Sequence, residues 1–287
     1  MSKKPILGVI GGSGLYDFPA LEKKKDVAVN TPFGNPSSPI IIGELSGKSV
    51  AFLARHGIGH IYSPSEVNYR ANIYALKSIG VDRIVSISAC GSLREDYSPG
   101  EIVIPNQIFD FTHKRQRSFF GEGAVVHVSA SDPFCPDLSN RVYQAVLNTG
   151  ATVHRNCTYI TIEGPRFSTK AESNLYREWG MSIIGMTACP EVFLAREAEI
   201  CYSTMAHVTD YDVWHTSEEP VTVEMVVKVL MANTEIAQKA IVDLVNKLPE
   251  KRTCDCENAL KDAVMTRRDL IPEESREKFG LLLSKYL

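Results

Sequence analysis

The chain has 287 residues, 44% of them hydrophobic, and a formal net charge of -3. That is length for one large α/β domain or two small ones, with enough apolar side chains for a packed core. The charge balance excludes a generally basic nucleic-acid or membrane surface, so an anion site must be local, and no apolar run is long enough to span a bilayer.

Met-Ser-Lys-Lys-Pro leads directly into Ile6-Leu-Gly-Val-Ile10, too short for a signal h-region and read as a first core strand; the cytoplasm is the expected compartment. Strand-like runs follow at 39–43, 49–53, 82–88, 100–104, 158–162, 182–186 and 201–208, after the first at 5–10. Several are continuously apolar, as in central strands covered on both faces. Between them lie helical patterns: one from Ser65, an N-cap candidate, to Lys77, and one from Ser168 to Trp179. Thr222 to about Leu248 is a long amphipathic helix without Pro or Gly. Pro249 then breaks the pattern, and two short helices are expected at 257–266 and 272–286, the second with Pro272 in its first turn, Glu273 and Glu274 after it and Lys285 near its end. The alternation predicts an α/β fold: a single domain, 1–248, with a central mixed β-sheet flanked by helices, and a helical C-terminal extension, 249–287, packed on the domain or on a neighbouring subunit.

Seven cysteines cannot all pair with one another. Cys90, Cys157, Cys189 and Cys201 sit in apolar or small-residue surroundings and read as buried free thiols. Cys254-Asp-Cys256 lacks the C-x-x-C spacing of zinc sites and no second ligand pair follows it; it reads as a solvated pair or as a redox-active or structural disulfide. No metal site is expected. Gly12-Ser-Gly14 lacks the third glycine of a dinucleotide fingerprint, Gly43 to Ser49 is one residue short of a P-loop, and His56-Gly-Ile-Gly-His60 carries two glycines where a zinc-binding helix would run.

Three small-residue loops after strands carry the chemistry. Gly11-Gly12-Ser13-Gly14 offers backbone N–H groups and the Ser13 hydroxyl; Arg55 offers a two-pronged grip on phosphate, and His56 one further donor; Ser88 and Ala89 end a strand at a sheet edge. Taken singly, the glycines merely turn the chain and Arg55 pairs with a carboxylate; together they point to one oxyanion pocket. Asp210 and Asp212 follow the apolar strand 201–208 and point the same way if strand geometry continues, which makes one of them a candidate proton holder; solvated loop carboxylates are the alternative. Phe167, before a helix start, is placed to stack on a planar ligand or to fill a core. Met186 and Thr187 end another strand, where a soft side chain and a hydroxyl suit a sugar and a phosphate, although a buried Met is ordinarily core.

The segments Gly-Gly-Ser-Gly-Leu, Leu-Ala-Arg-His-Gly, Ala-Cys-Gly-Ser-Leu-Arg-Glu, Thr-Ile-Glu-Gly-Pro-Arg-Phe-Ser, Met-Thr-Ala-Cys-Pro-Glu and Thr-Asp-Tyr-Asp together resemble those of the 5′-methylthioadenosine phosphorylases of the purine nucleoside phosphorylase superfamily, from Ile6 to about Leu248. The closing extension, with its Cys-Asp-Cys, is similar to that of disulfide-bearing archaeal or thermophilic members. The resemblance implies phosphorolysis of methylthioadenosine to adenine and 5-methylthioribose 1-phosphate, with phosphate as a co-substrate and no cofactor. It implies phosphate at Ser13, Arg55, His56, Ala89 and Thr187, ribose at Ser88 and Met186, and adenine at Phe167, Asp210 and Asp212. It further implies an apolar wall of Val223 and Val226 for the methylthio group, and His127 reaching a neighbouring subunit's site, hence a homo-oligomer, a trimer or hexamer. Many relatives have Thr where this chain has Ser13 and Ser88, changes that keep the hydroxyl. A broader purine nucleoside phosphorylase or a 5′-methylthioinosine phosphorylase is the alternative enzyme, and a non-catalytic nucleoside-binding module the alternative class.

Overall fold

The computed structural model describes residues 4–11, 18–215 and 222–287. In chain order its strands and helices are β1 (Leu7–Gly11), β2 (Glu22–Val27), β3 (Ile40–Leu45), β4 (Lys48–Ala54), α1 (Tyr69–Ser78), β5 (Arg83–Ser92), β6 (Ile102–Ile104), β7 (Gln107–Phe111), α2 (Pro136–Leu147), β8 (Val153–Arg155), β9 (Thr158–Ile162), α3 (Lys170–Glu178), β10 (Ile183–Gly185), α4 (Glu191–Glu197), β11 (Cys201–Asp210), α5 (Val223–Lys247) and α6 (Glu273–Leu283). The strands join one mixed sheet in the order β2-β3-β4-β1-β5-β10-β9-β7, with β11 alongside β5, β6 beside β11 and β8 beside β6.

Successive residues of a strand face opposite sides of the sheet, and here both sides are buried. Val9, Val85, Ile87 and Met205 join one core with Leu138 and Val142 of α2 and Ile241 and Val245 of α5. Ile10, Ile84 and Tyr202 join a second core with Ile73 and Leu76 of α1 and Val192 and Ala195 of α4. Helices on both faces are why the central strands read as unbroken apolar runs. The α/β fold with a central mixed sheet flanked by helices is therefore as expected, and all eight expected strands are present.

Other expectations need correction. β2, β7 and β8 were not anticipated; β2 is a largely polar edge, Glu-Lys-Lys-Lys-Asp-Val, exposed along most of its length and, among the described residues, paired only with β3. Asn68, not Ser65, caps α1: its side chain accepts from the Ala71 N–H at 3.1 Å, while the Ser65 hydroxyl turns to the Glu163 carboxylate. The second expected helix starts behind Thr169, which forms a reciprocal capping box with Glu172. The helix expected at 257–266 reduces to a 3₁₀ turn at Asp255–Asn258 and further turns. Its backbone is diverted into pairing, Val126 with Val264 and the Met265 N–H on the Val125 carbonyl at 2.9 Å. Pro272 caps α6 rather than sitting in its first turn. The tail packs on its own chain, where Leu260, Ile271, Phe279 and Leu283 enclose Ala124 with Phe33 and Phe120.

All seven cysteines are free thiols, so the disulfide that the resemblance implies is not found. Cys254 and Cys256 are not a solvated pair either: with Cys135 and Cys201 they bring four sulfurs within 4.8 Å of one another.

Candidate active site

The site begins where β5 changes partners. β1 runs parallel to it as far as Ile87, and β10 takes over, antiparallel, at Gly91. Among the described residues Ser88, Ala89 and Cys90 therefore have no strand neighbour on that side, while on the other side β11 follows them, Ala206 to Val208. The expectation that Ser88 and Ala89 end a strand is corrected: β5 continues to Ser92, and it is the neighbouring strands that part. A split between strands in an open α/β sheet is where ligands bind, and a cleft of ≈ 270 Å³ opens here.

The cleft is lined by Arg55, His56, Ser88, Ala89, Phe167, Met186, Thr187, Asp210, Asp212, Val223 and Val226, residues drawn from widely separated parts of the chain. Ser13 lies outside the described residues. His127 does not line the cleft of its own chain; it is exposed, with its backbone N–H on the Ala263 carbonyl at 2.8 Å.

Arg55 is 1% exposed. Its Nε donates to Glu191 Oε2 at 2.8 Å, and its Nη2 to Glu191 Oε1 at 3.1 Å and Ser86 Oγ at 2.6 Å. Nη1 donates to the Ile87 carbonyl at 3.2 Å. The two-pronged grip is thus spent on a carboxylate, not left for an anion, although the arginine still lines the cleft. Tyr202 donates to Glu191 as well, at 2.7 Å, so the arginine is held from two elements.

His56 Nδ1 lies 2.9 Å from the Tyr62 carbonyl. A carbonyl only accepts, so Nδ1 carries the hydrogen and Nε2 of the neutral ring is an acceptor. Burial, then the neighbouring Arg55 charge, lowers the imidazole to about 4. In the free chain His56 is therefore not the extra donor that sequence reading expects. Its ring stacks on His60 with centroids 4.2 Å apart.

Asp210 and Asp212 both face the cleft, but not by strand alternation. A bulge between Val208 and Asp210 shifts the register against β5 and re-aims Asp210. β11 ends there; Asp212 sits at φ 52, with its N–H on Asp210 Oδ1 at 2.8 Å. Thr209 Oγ1 donates to Asp210 Oδ2 at 2.6 Å. Burial raises the Asp210 carboxyl to about 6 against those two donors, and raises Asp212 as well. Gly91 leaves room for this turn, since a Cβ there would come 2.9 Å from Asp210 Oδ1. Asp212 Oδ2, Ser88 Oγ and Ser168 Oγ are buried without a partner in hydrogen-bonding geometry. Buried polar atoms with unfilled hydrogen-bonding capacity around one cleft suit a polar ligand.

Phe167 is 37% exposed at the rim, which removes the core-aromatic alternative. Val223 and Val226 are presented by the first turn of α5. Met186 and Thr187 follow β10, and Arg115 secures that turn: its Nη1 donates to the Met186 and Cys189 carbonyls, each at 2.6 Å, and its Nη2 to the Glu163 carbonyl at 2.8 Å. Sequence reading missed Arg115 and Glu191. Their partners lie 71 and 136 residues away, so no local spacing betrays them.

Residues 6–246 match the family model described as Phosphorylase superfamily. Over 280 residues the chain is 50% identical to a protein of Koribacter versatilis named S-methyl-5'-thioadenosine phosphorylase, which covers 98% of this chain and 96% of that one. A methylthioadenosine phosphorylase from an antarctic soil metagenomic library superposes with a TM-score of 0.93 at 46% identity, covering 98% of this chain and 100% of the other. The Schistosoma mansoni methylthioadenosine phosphorylase in complex with adenine superposes with a TM-score of 0.86 at 37% identity, covering 93% and 100%.

Proposed function

Because the chain belongs to the phosphorylase superfamily, we propose that its cleft catalyses the phosphorolysis of 5′-methylthioadenosine to adenine and 5-methylthioribose 1-phosphate. The observation that carries the reading is Asp210: a carboxyl held to about 6 by burial, in a cleft that also holds a buried guanidinium and an apolar wall. Breaking the N-glycosidic bond leaves its electron pair on the purine and positive charge on the sugar. A phosphate oxygen then bonds to the anomeric carbon, and protonated Asp210 delivers its hydrogen to N7 of the leaving base. A positioned acid of this kind contributes about 10²–10⁴-fold.

The remaining roles rest on the family resemblance, with the lining of the cleft as support for the described residues. Phosphate takes the Arg55 end of the cleft, with His56, Ala89 and Thr187, and the resemblance adds Ser13. Ser88 and Met186 meet the ribose, and Phe167 and Asp212 the adenine. Asp212 accepts from the 6-amino group; mispairing such a buried group costs roughly 1–3 kcal/mol, which favours a 6-aminopurine over a 6-oxopurine. Val223 and Val226 favour methylthio over hydroxyl, though an apolar pocket rejects an added hydroxyl only about 10²-fold. His127, exposed and away from its own cleft, serves the cleft of a neighbouring copy in a trimer or hexamer. Inorganic phosphate is a co-substrate and no cofactor takes part. No helix among the described residues is long and apolar enough to cross a membrane, and a cytoplasmic reaction with small-molecule partners, without nucleic acid, suits that.

Release of free base from methylthioadenosine, adenosine, methylthioinosine and inosine, with and without phosphate, tests the reading. Phosphate-dependent adenine release, fastest from methylthioadenosine, is expected. Faster turnover of inosine or methylthioinosine would replace the assignment with the broader or 6-oxo enzyme, and binding without turnover would reduce the protein to a nucleoside-binding module.

A further inference from the structure

Cys135 caps the N-terminus of α2, Cys201 opens β11, and Cys254 and Cys256 flank Asp255 in the tail after α5. Folding brings these three distant segments together so that all four Sγ atoms lie within 4.8 Å of one another. Cys135, Cys201 and Cys256 are buried. Cys201 and Cys254 have their sulfurs 3.2 Å apart. Zinc–thiolate bonds of about 2.3 Å in a tetrahedron put sulfurs about 3.8 Å apart, so side-chain shifts of under about 1 Å complete the geometry.

Three N–H donors are aimed at these sulfurs. The Leu138 amide donates to Cys135 Sγ at 3.4 Å, Arg196 Nη1 to Cys256 Sγ at 3.7 Å and Arg252 Nη1 to Cys201 Sγ at 3.9 Å. Donors and guanidinium charges on sulfur favour the thiolate. Arg196 and Arg252 bring positive charge beside the double negative charge that four thiolates leave around a divalent cation, although Arg252 shares its charge with Glu257 at 3.2 Å. Neutral thiols or disulfides in an otherwise apolar core would call for neither.

We propose that Cys135, Cys201, Cys254 and Cys256 form a structural tetrathiolate site for zinc. Binding releases the four thiol protons and breaks no other bond. All four positions are filled by protein, which marks a structural ion and not a catalytic one. Cys201 and Asp210 lie at opposite ends of the ten-residue β11, about 30 Å apart at the rise of a strand. The ion therefore pins the C-terminal tail to α2 and β11 without entering the cleft.

Full-length protein, purified with reductant and dialysed against zinc(II), should retain one zinc per chain. Cobalt(II) in its place should show the thiolate-to-metal charge-transfer absorption and intense visible bands of a tetrahedral thiolate site. Chelation should lower the melting temperature and leave kcat at room temperature unchanged. The double variant Cys254→Ser, Cys256→Ser should lose both metal and cobalt spectrum, whereas Cys157→Ser, outside the cluster, should keep them. Two outcomes overturn the proposal: folded wild-type chain that holds no zinc with its four thiols reduced, or an intact mass in non-reduced protein that is short by the hydrogens of disulfides within the four.

Discussion

Asp210 keeps its proton up to about pH 6 because burial outweighs the two donors that favour its ionised form. The free enzyme should therefore lose kcat/KM for methylthioadenosine as pH rises through about 6, the Asp210 value. Asp210→Asn should remove that limb from the pH profile and lower kcat by about 10²–10⁴-fold; a variant with full activity and the same limb would move the acid role elsewhere. His56 supplies a second test. Its Nε2 accepts in the free chain and its pKa is held at about 4. A phosphate dianion beside the ring favours the imidazolium, so phosphate binding near neutral pH should take up a proton. Calorimetric titration in buffers of different ionisation enthalpy measures this, and His56→Ala should abolish the uptake.

Elements differed in how plainly they could be read. Largely apolar runs gave away the strands buried on both faces, such as β1 and the Val50–Ala54 part of β4, since a buried polar side chain is costly unless it is hydrogen-bonded. β2 escaped notice because an exposed edge needs no apolar face, and β8 because Val-His-Arg is too short to show a period. α4 spans seven residues and has no side-chain cap. The lining of the cleft was legible because small and polar residues after apolar runs are local signals, whereas its support was not. Glu191 of α4 shows this best: buried, it neutralises Arg55 from 136 residues away. Removing one member of a buried pair costs about 3–5 kcal/mol. Glu191→Ala should lower the urea-unfolding free energy by that amount; a loss near zero would mean that water or another group reaches Arg55.

At the scale of the whole molecule, stability should depend on pH through carboxyls that folding makes harder to ionise. Burial raises Glu197 from 4.5 to about 7, although Ser118 and the Phe119 N–H both donate to it. The folded chain then binds more protons than the unfolded one between those values. Its contribution is complete below the unfolded value and disappears as pH rises through about 7. Asp210 acts in the same direction over a lower window, 3.8 to about 6. The melting temperature should therefore rise as pH falls from about 8 to about 6, and Glu197→Gln should flatten that slope. An unchanged slope would assign the effect to other groups.

The margin of the sheet at β2 has a consequence beyond catalysis. A strand with one side unpaired is a template on which another chain can grow, end to end, into fibres. Lys23, Lys24 and Lys25 stand in succession along that margin, all exposed. A second molecule approaching to extend the sheet would bring its own lysines against these; Lys23 is bridged to Glu44, so Lys24 and Lys25 supply the repulsion that turns it away. The least apolar strand among the described residues thus guards the chain against edge-to-edge growth.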